Sequence, residues 1–171
     1  MAKTRTEKDS IGLREIPEGV YYGIQTDRAI ENFPISGLTA HPRFIDAYLY
    51  IKKAAAIANF KAGELPKLSA DALVKACDEI LAGSLREQFP VDVFQMGAGT
   101  AFNMNVNEVI ANRANELLGS EKGKYLPVNP NDHANMGQST NDTFPTAVRI
   151  GLLLILKETM HGPLEALERS L

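Results

Sequence analysis

Four stretches between Pro42 and Met160 carry apolar residues at the spacing of a helix face, and glycine- or asparagine-rich segments separate them. The first begins near Pro42 and ends near Gly63, with Phe44, Ala47, Tyr48, Ile51, Ala54, Ala55 and Ala58 on its stripe. Ser69 opens the second, Ala70 to Leu81, where Leu73, Ala76, Cys77, Ile80 and Leu81 share a face and Gly83 follows. The third runs from about Met104 to Leu118 through Val106, Val109, Ile110, Ala114 and Leu117, with Gly119 as C-cap. The fourth starts near Ser139 and continues at least to Met160. This spacing predicts a mainly α chain. The first forty residues differ, because Gly12, Pro17, Gly19, Gly23, Pro34 and Gly37 interrupt them too often for a long helix. They read as an irregular segment with a small hairpin over Lys8 to Ile16 and a short extended run at Gly19 to Gly23.

Composition removes several functional classes. Acids outnumber bases 21 to 18 in 171 residues, and no block of Lys and Arg occurs, so a basic nucleic-acid surface is not expected. Cys77 is the single cysteine, which excludes an intrachain disulfide, and with three histidines the chain lacks the ligands of a structural zinc site. The apolar run Ile150 to Leu156 is far short of the roughly 18 residues of a membrane span. The opening MAKTRTEKDS has charge but no apolar core of a secretory signal. The expectation is a soluble, cytoplasmic protein with no membrane, nucleic-acid, metal or cofactor partner.

The last twenty residues carry a further expectation. Gly151 to Leu156 is apolar around most of its circumference, which calls for burial on several sides. After the breaker pair Gly162-Pro163 a new periodic segment, Leu164, Leu167 and Leu171, stops without a cap. Both features fit a chain cut from something longer.

Polar chemistry concentrates in two loops. Nine of the eleven asparagines lie between Asn103 and Asn141, with the hydroxyls of Thr100, Ser139 and Thr140 among them. Turns and caps account for some asparagines. A dense set of neutral donors also suits a site that holds a small anion without cancelling its charge. The first loop, Gly97-Ala-Gly99-Thr100-Ala-Phe-Asn103, precedes a helix whose first amides point outward with the positive end of its dipole. Phe102 replaces the third glycine of a dinucleotide fingerprint, and no Gly-Lys-Ser/Thr follows. The second loop, Asn129 to Asp142, contains a capping-box match at Ser139 and Asp142, leaving Thr140 and Asn141 in the first turn. His133 beside Asp132 reads as a hydrogen-bonded structural residue. Two helix N-termini with hydroxyl and amide donors could grip the carboxylates of one small diacid. No nucleophile, base or carboxylate pair accompanies them.

Residues 97 to 114 and 129 to 142 resemble two hallmark blocks of the aspartase/fumarase superfamily, and Val20 to Thr26 with Arg28 and Glu31-Asn-Phe-Pro34 is similar to its N-terminal block. The resemblance covers essentially the whole chain in order. Gly97-Ala-Gly99, Glu121-Lys-Gly123 and Gln138-Ser-Thr-Asn141 lean to the aspartate ammonia-lyase branch, whereas Met136-Gly137 and Thr143-Phe144 are closer to some fumarases. It implies the N-terminal helical domain of that fold: an irregular or β-hairpin segment over 1–40, a helical domain over 41–150, and over 151–171 the start of a connection to a central helix bundle. It further implies reversible elimination of ammonia from L-aspartate to give fumarate. Gly99, Thr100, Ser139 and Thr140 are then carboxylate binders, and Asn141 contacts the substrate amino group. Asn129, Asn131 and Asp132 match a second, non-catalytic carboxylate site, although Asn129 stands where class II fumarases carry His. The family's catalytic serine and a Thr-His block lie beyond these residues, as do the long helices that assemble a homotetramer. No catalytic residue is therefore expected here, and the piece alone should be inactive. The alternatives are a class II fumarate hydratase, a non-catalytic helical diacid-binding module, and a helical domain whose Asn and Gly residues are only caps and turns.

Overall fold

The computed structural model describes residues 3–171; Met1 and Ala2, within the segment expected to be irregular, lie outside them. Strands β1 (Thr4–Lys8) and β2 (Leu13–Pro17) pair antiparallel, from Thr4 opposite Pro17 to Lys8 opposite Leu13. The expected hairpin is thus present and starts earlier than its sequence signal. Asp9 builds the turn, its Oδ1 accepting the amides of Ile11 at 2.9 Å and Gly12 at 3.0 Å. The same carboxylate takes both Nε and Nη2 of Arg28, at 2.7 and 2.9 Å. This bidentate pair docks the hairpin on helix α1 (Ile24–Asn32).

Helix α1 departs from the expectation of irregularity up to residue 40. Its nine residues fit between Gly23 and Pro34, too short for periodicity to stand out among the breakers. Gly19 to Gly23 forms no strand and instead leads into this helix. Two buried carboxylates from elsewhere hold the start of α1: Glu108 accepts the amides of Gly23, Gln25 and Thr26, and Glu7 accepts that of Ile24. Gly23 is required there, since a Cβ would collide with the Tyr125 hydroxyl and lie within 2.9 Å of both carboxylates.

The remaining helices are α2 (Pro42–Lys61), α3 (Lys67–Leu81), α4 (Thr100–Leu117), α5 (Thr140–Ile155) and α6 (His161–Ser170). Helix α3, with Pro66 as N-cap, starts at Lys67, three residues ahead of the Ala70 read from the sequence, and α4 starts at Thr100 rather than Met104, so Asn103 lies inside the helix. Gly162-Pro163 does not interrupt the last segment. A widened turn at Leu156–Met160 joins α5 to α6, and Pro163 falls in the first turn of α6, where a missing amide hydrogen is tolerated. Helix α2 packs against both α3 and α5, and α4 against α1 and α3.

The core lies between α2, α3 and α4. Tyr48, Leu49, Leu73, Ala76, Cys77, Ile80, Phe102, Val106, Val109 and Ile110 are fully buried in it. Each large side chain there contributes about 1.5–3 kcal/mol of burial. Leu152, Leu153, Leu164 and Leu167, on α5 and α6, are instead more than half exposed in these residues. Among the described residues no helix is long and apolar enough to cross a membrane.

The Asp9 clamp has a pH signature. Arg28 holds the Asp9 carboxyl down at about 2, below its ordinary value near 3.8. A depressed carboxylate stabilises the fold above its unfolded value and loses that contribution as pH falls through the folded one. Asp9→Asn is expected to lower the urea midpoint at neutral pH, with the gap to the parent closing as pH approaches about 2. A gap independent of pH would assign the clamp's effect to shape alone.

Candidate functional site

The N-termini of α4 and α5 lie side by side, and aromatic packing sets their separation. Phe44 and Tyr48 of α2 meet Phe102 of α4 at ring-centroid distances of 5.0 and 5.4 Å, and Phe44 meets Phe144 of α5 at 5.1 Å. The Phe144 ring presses on Gly99, the N-cap of α4, which sits at φ 81°. A Cβ at Gly99 would occupy the space of that ring. This glycine is thus explained by a helix-to-helix contact as well as by the backbone turn. An apolar cleft of about 250 Å³ lies alongside, between Phe44, Val93, Phe102, Phe144 and Val148.

Gly99 cannot cap α4 with a side chain, and Gln95 does so from outside the helix: its Oε1 accepts the Phe102 amide at 2.7 Å. The amides of Thr100 and Ala101 meet no acceptor among the described residues, and the Thr100 side chain is exposed. Helix α5 is similar. Ser139 is its N-cap as expected, but the capping box is not formed. The Ser139 carbonyl takes the Asp142 and Thr143 amides, at 3.1 and 2.9 Å, while its hydroxyl makes no cap bond and Asp142 is exposed. The Thr140 and Asn141 amides are likewise without a protein acceptor among the described residues. Asn141 is exposed and Thr140 half-buried. The Gly99–Phe144 contact puts the start of α4 beside the start of α5. The four unengaged amides and the hydroxyls of Thr100, Ser139 and Thr140 at these two helix starts are donors suited to anionic oxygens.

Beneath both ends lies Lys52, which sequence reading missed. It is 2% exposed, and its ammonium donates to Asn103 Oδ1 on α4 at 2.9 Å, Asn135 Oδ1 at 3.0 Å and Gln138 Oε1 at 2.9 Å. Burial pushes its pKa down to about 7. Cys77, on α3, is pushed up to about 12 by burial and remains an uncharged thiol. The signal was available: Tyr48, Lys52 and Ala56 share one stripe of α2 at a four-residue spacing, so a lysine occupies a core position.

Most of the asparagines have a different task from the one expected. Asn105, Asn112 and Asn115 are fully buried on α4 and hold loop backbone. Asn105 donates to the Gln88 carbonyl and Asn112 to that of Tyr21, while Asn115 both donates to the Val128 carbonyl and accepts its amide. In the second loop, Pro130–Ala134 forms a single wide helical turn. Asn129 caps it, its side-chain oxygen accepting the Asn131 and Asp132 amides at 2.8 and 3.1 Å, and His133 Nδ1 accepts the Asn129 amide at 2.8 Å. His133 is thus structural, as expected. The donors that Asn131 and Asp132 could offer from their backbone are already engaged, and both side chains are exposed.

A family model described as lyase matches residues 12–171. The chain belongs to this lyase family. It is 54% identical to an aspartate ammonia-lyase from a Bacillus species, over 92% of the chain and 34% of that relative. It is 53% identical to a class II fumarate hydratase from Halobacterium salinarum, over 98% of the chain and 35% of the relative. Its fold superposes on a fumarate lyase:delta crystallin from Brucella melitensis with a TM-score of 0.88 at 55% identity, covering 91% of the chain and 36% of that structure. The chain spans about a third of the length of the curated relatives it matches.

The Gly99–Phe144 contact generates a test. Gly99→Ala combines a left-handed backbone with a collision against the ring, and should cost more than about 1 kcal/mol of stability in urea unfolding. An unchanged midpoint would show that the two helix ends are not held together by this contact.

Proposed function

We propose that the chain supplies the substrate-carboxylate loops of an aspartate ammonia-lyase, which reversibly eliminates ammonia from L-aspartate to give fumarate. The observation that supports this most is the pair of adjacent helix N-termini whose first amides and hydroxyls are left unengaged by the protein. In the elimination a base takes the Cβ proton, the Cα–N bond breaks, and ammonia leaves with the bonding pair. Before the bond breaks, the carbanion delocalises into the neighbouring carboxylate, so charge grows on those oxygens. Donors fixed at that position stabilise the transition state more than the substrate.

In this reading Thr100, Ser139 and Thr140 bind carboxylate oxygens, Gly99 lets the α4 terminus approach, and Asn141 contacts the amino group. The base comes from the two thirds of the relatives' length that these residues do not span, within a homotetrameric cytoplasmic enzyme. The turn at Asn129, Asn131 and Asp132 is left at most a peripheral carboxylate contact through the exposed Asn131 and Asp132, since the Asn129 side-chain oxygen is engaged as its cap.

Thr140→Val in the intact enzyme should lower kcat/KM for aspartate on the order of a hundredfold, read as fumarate absorbance, with an unchanged far-ultraviolet circular dichroism spectrum. Unaltered kinetics would remove Thr140 from the site. The similarity to the Halobacterium relative supports a second reading, a fumarate hydratase. Malate dehydration outpacing aspartate deamination by the same preparation would decide for it.

A further inference from the structure

We propose that Lys52 is an electrostatic positioning residue for the diacid site, its buried charge left without a counter-ion by the protein so that a bound dianion supplies one. The inference rests on the carboxylate-binding reading above and adds a residue from outside the substrate contacts.

Three observations carry it. First, the ammonium is buried, yet its three bonding partners are all neutral amide oxygens, and among the described residues no carboxylate pairs with it. Buried charges are ordinarily paired, because an isolated one loses its hydration with nothing in return. Secondly, the three amides belong to the two donor loops. Asn103 lies one turn below Thr100 on α4, and Gln138 immediately precedes Ser139. Their free ends are also fixed: Asn103 Nδ2 donates to Asn135 Oδ1 at 3.1 Å, and Gln138 Nε2 to the Ala134 and Met136 carbonyls at 3.1 and 3.2 Å. Thirdly, two helix N-termini add their own positive potential above the ammonium. Among the described residues no carboxylate bonds the ammonium, and Asp142, the acidic residue in the first turn of α5, is exposed to solvent.

Lys52 does not touch the substrate in this arrangement, since its three N–H groups are already engaged. It sets the orientation of the amides that carry the loops and raises the affinity for a doubly charged ligand. A purely structural lysine would affect all ligands alike. The charge argument demands discrimination between ligands of one shape and different charge.

The test uses the intact enzyme and calorimetric titration with succinate, a non-reacting dianion, and succinamate, its monoanionic amide. Lys52→Met should weaken succinate on the order of tenfold and succinamate distinctly less. Gln138→Glu keeps the shape and the lysine but places a carboxylate beside the ammonium, and should weaken succinate in the same sense even if Lys52→Met fails to fold. Equal weakening of both ligands, or succinate affinity unchanged in Gln138→Glu, overturns the proposal while leaving the site intact. Wild-type protein that binds neither ligand overturns the carboxylate reading and the Lys52 role together. Binding with the expected discrimination in an enzyme that does not deaminate aspartate upholds Lys52 and rejects only the assigned reaction.

Discussion

A single buried ammonium group ties together α2, α4 and the loop ahead of α5. Lys52 reaches from α2 to α4 and to the loop ahead of α5, and its three N–H groups match three amide oxygens at 2.9–3.0 Å. The aromatic packing of Phe44, Tyr48, Phe102 and Phe144 brings the same three elements together without fixing their rotation or register. Hydrogen bonds are directional where ring contacts are broad, so the lysine network determines how the Ser139–Thr140 end sits against the Thr100 end. Replacing any one amide leaves a buried donor unsatisfied, which costs more than the bond itself contributes.

The same principle recurs through α4. This helix is buried nearly all round, which would normally demand apolar residues on every face. Instead its buried asparagines reach the backbone of segments that have no ladder of their own: Asn105 at Gln88, Asn112 at Tyr21 and Gly123, Asn115 at Val128. Glu108 does this for the start of α1, accepting three amides and the Thr26 hydroxyl from a fully buried position. Burial pushes its pKa up towards 7, and the four donors act against that rise. Irregular loops are therefore held by a central polar helix, and the loops in turn cover it.

This explains which parts of the molecule were legible in the sequence. The positions of α2, α3 and α5 followed from apolar spacing, because each presents one face to the core. The early start of α4 did not, since its added residues, Thr100 to Asn103, follow two glycines and include Asn103 at a buried position where a helix stripe shows leucine or valine. Nor did α1, whose anchors are the distant carboxylates Glu7 and Glu108 rather than local periodicity. At the candidate site the donors Thr100, Ser139, Thr140 and Asn141 could be picked out from composition and from their place at helix starts. Their supports could not. Gln95 caps α4 from four residues before the N-cap, and Lys52 lies 51, 83 and 86 residues from its three partners. A capping box at Ser139 and Asp142 was the natural reading of the local pattern, yet the Ser139 carbonyl takes the Asp142 and Thr143 amides and the Ser139 hydroxyl makes no cap bond.

The division between exposed neutral donors and a buried charge has a chemical logic for an elimination. A cation in direct contact with the substrate carboxylate would bind the ground state strongly and gain little more as charge accumulates. Hydroxyls and helix amides aimed at the oxygens gain more as that charge grows, because their dipoles are already oriented. In the proposed arrangement a lysine one layer below would add a positive field without forming an ion pair with the substrate, the intervening amides being fixed in direction by their own hydrogen bonds. Under the proposed reading, a charge in the second layer would raise affinity for the diacid as a class, while the first layer would keep its preference for the developing aci-carboxylate.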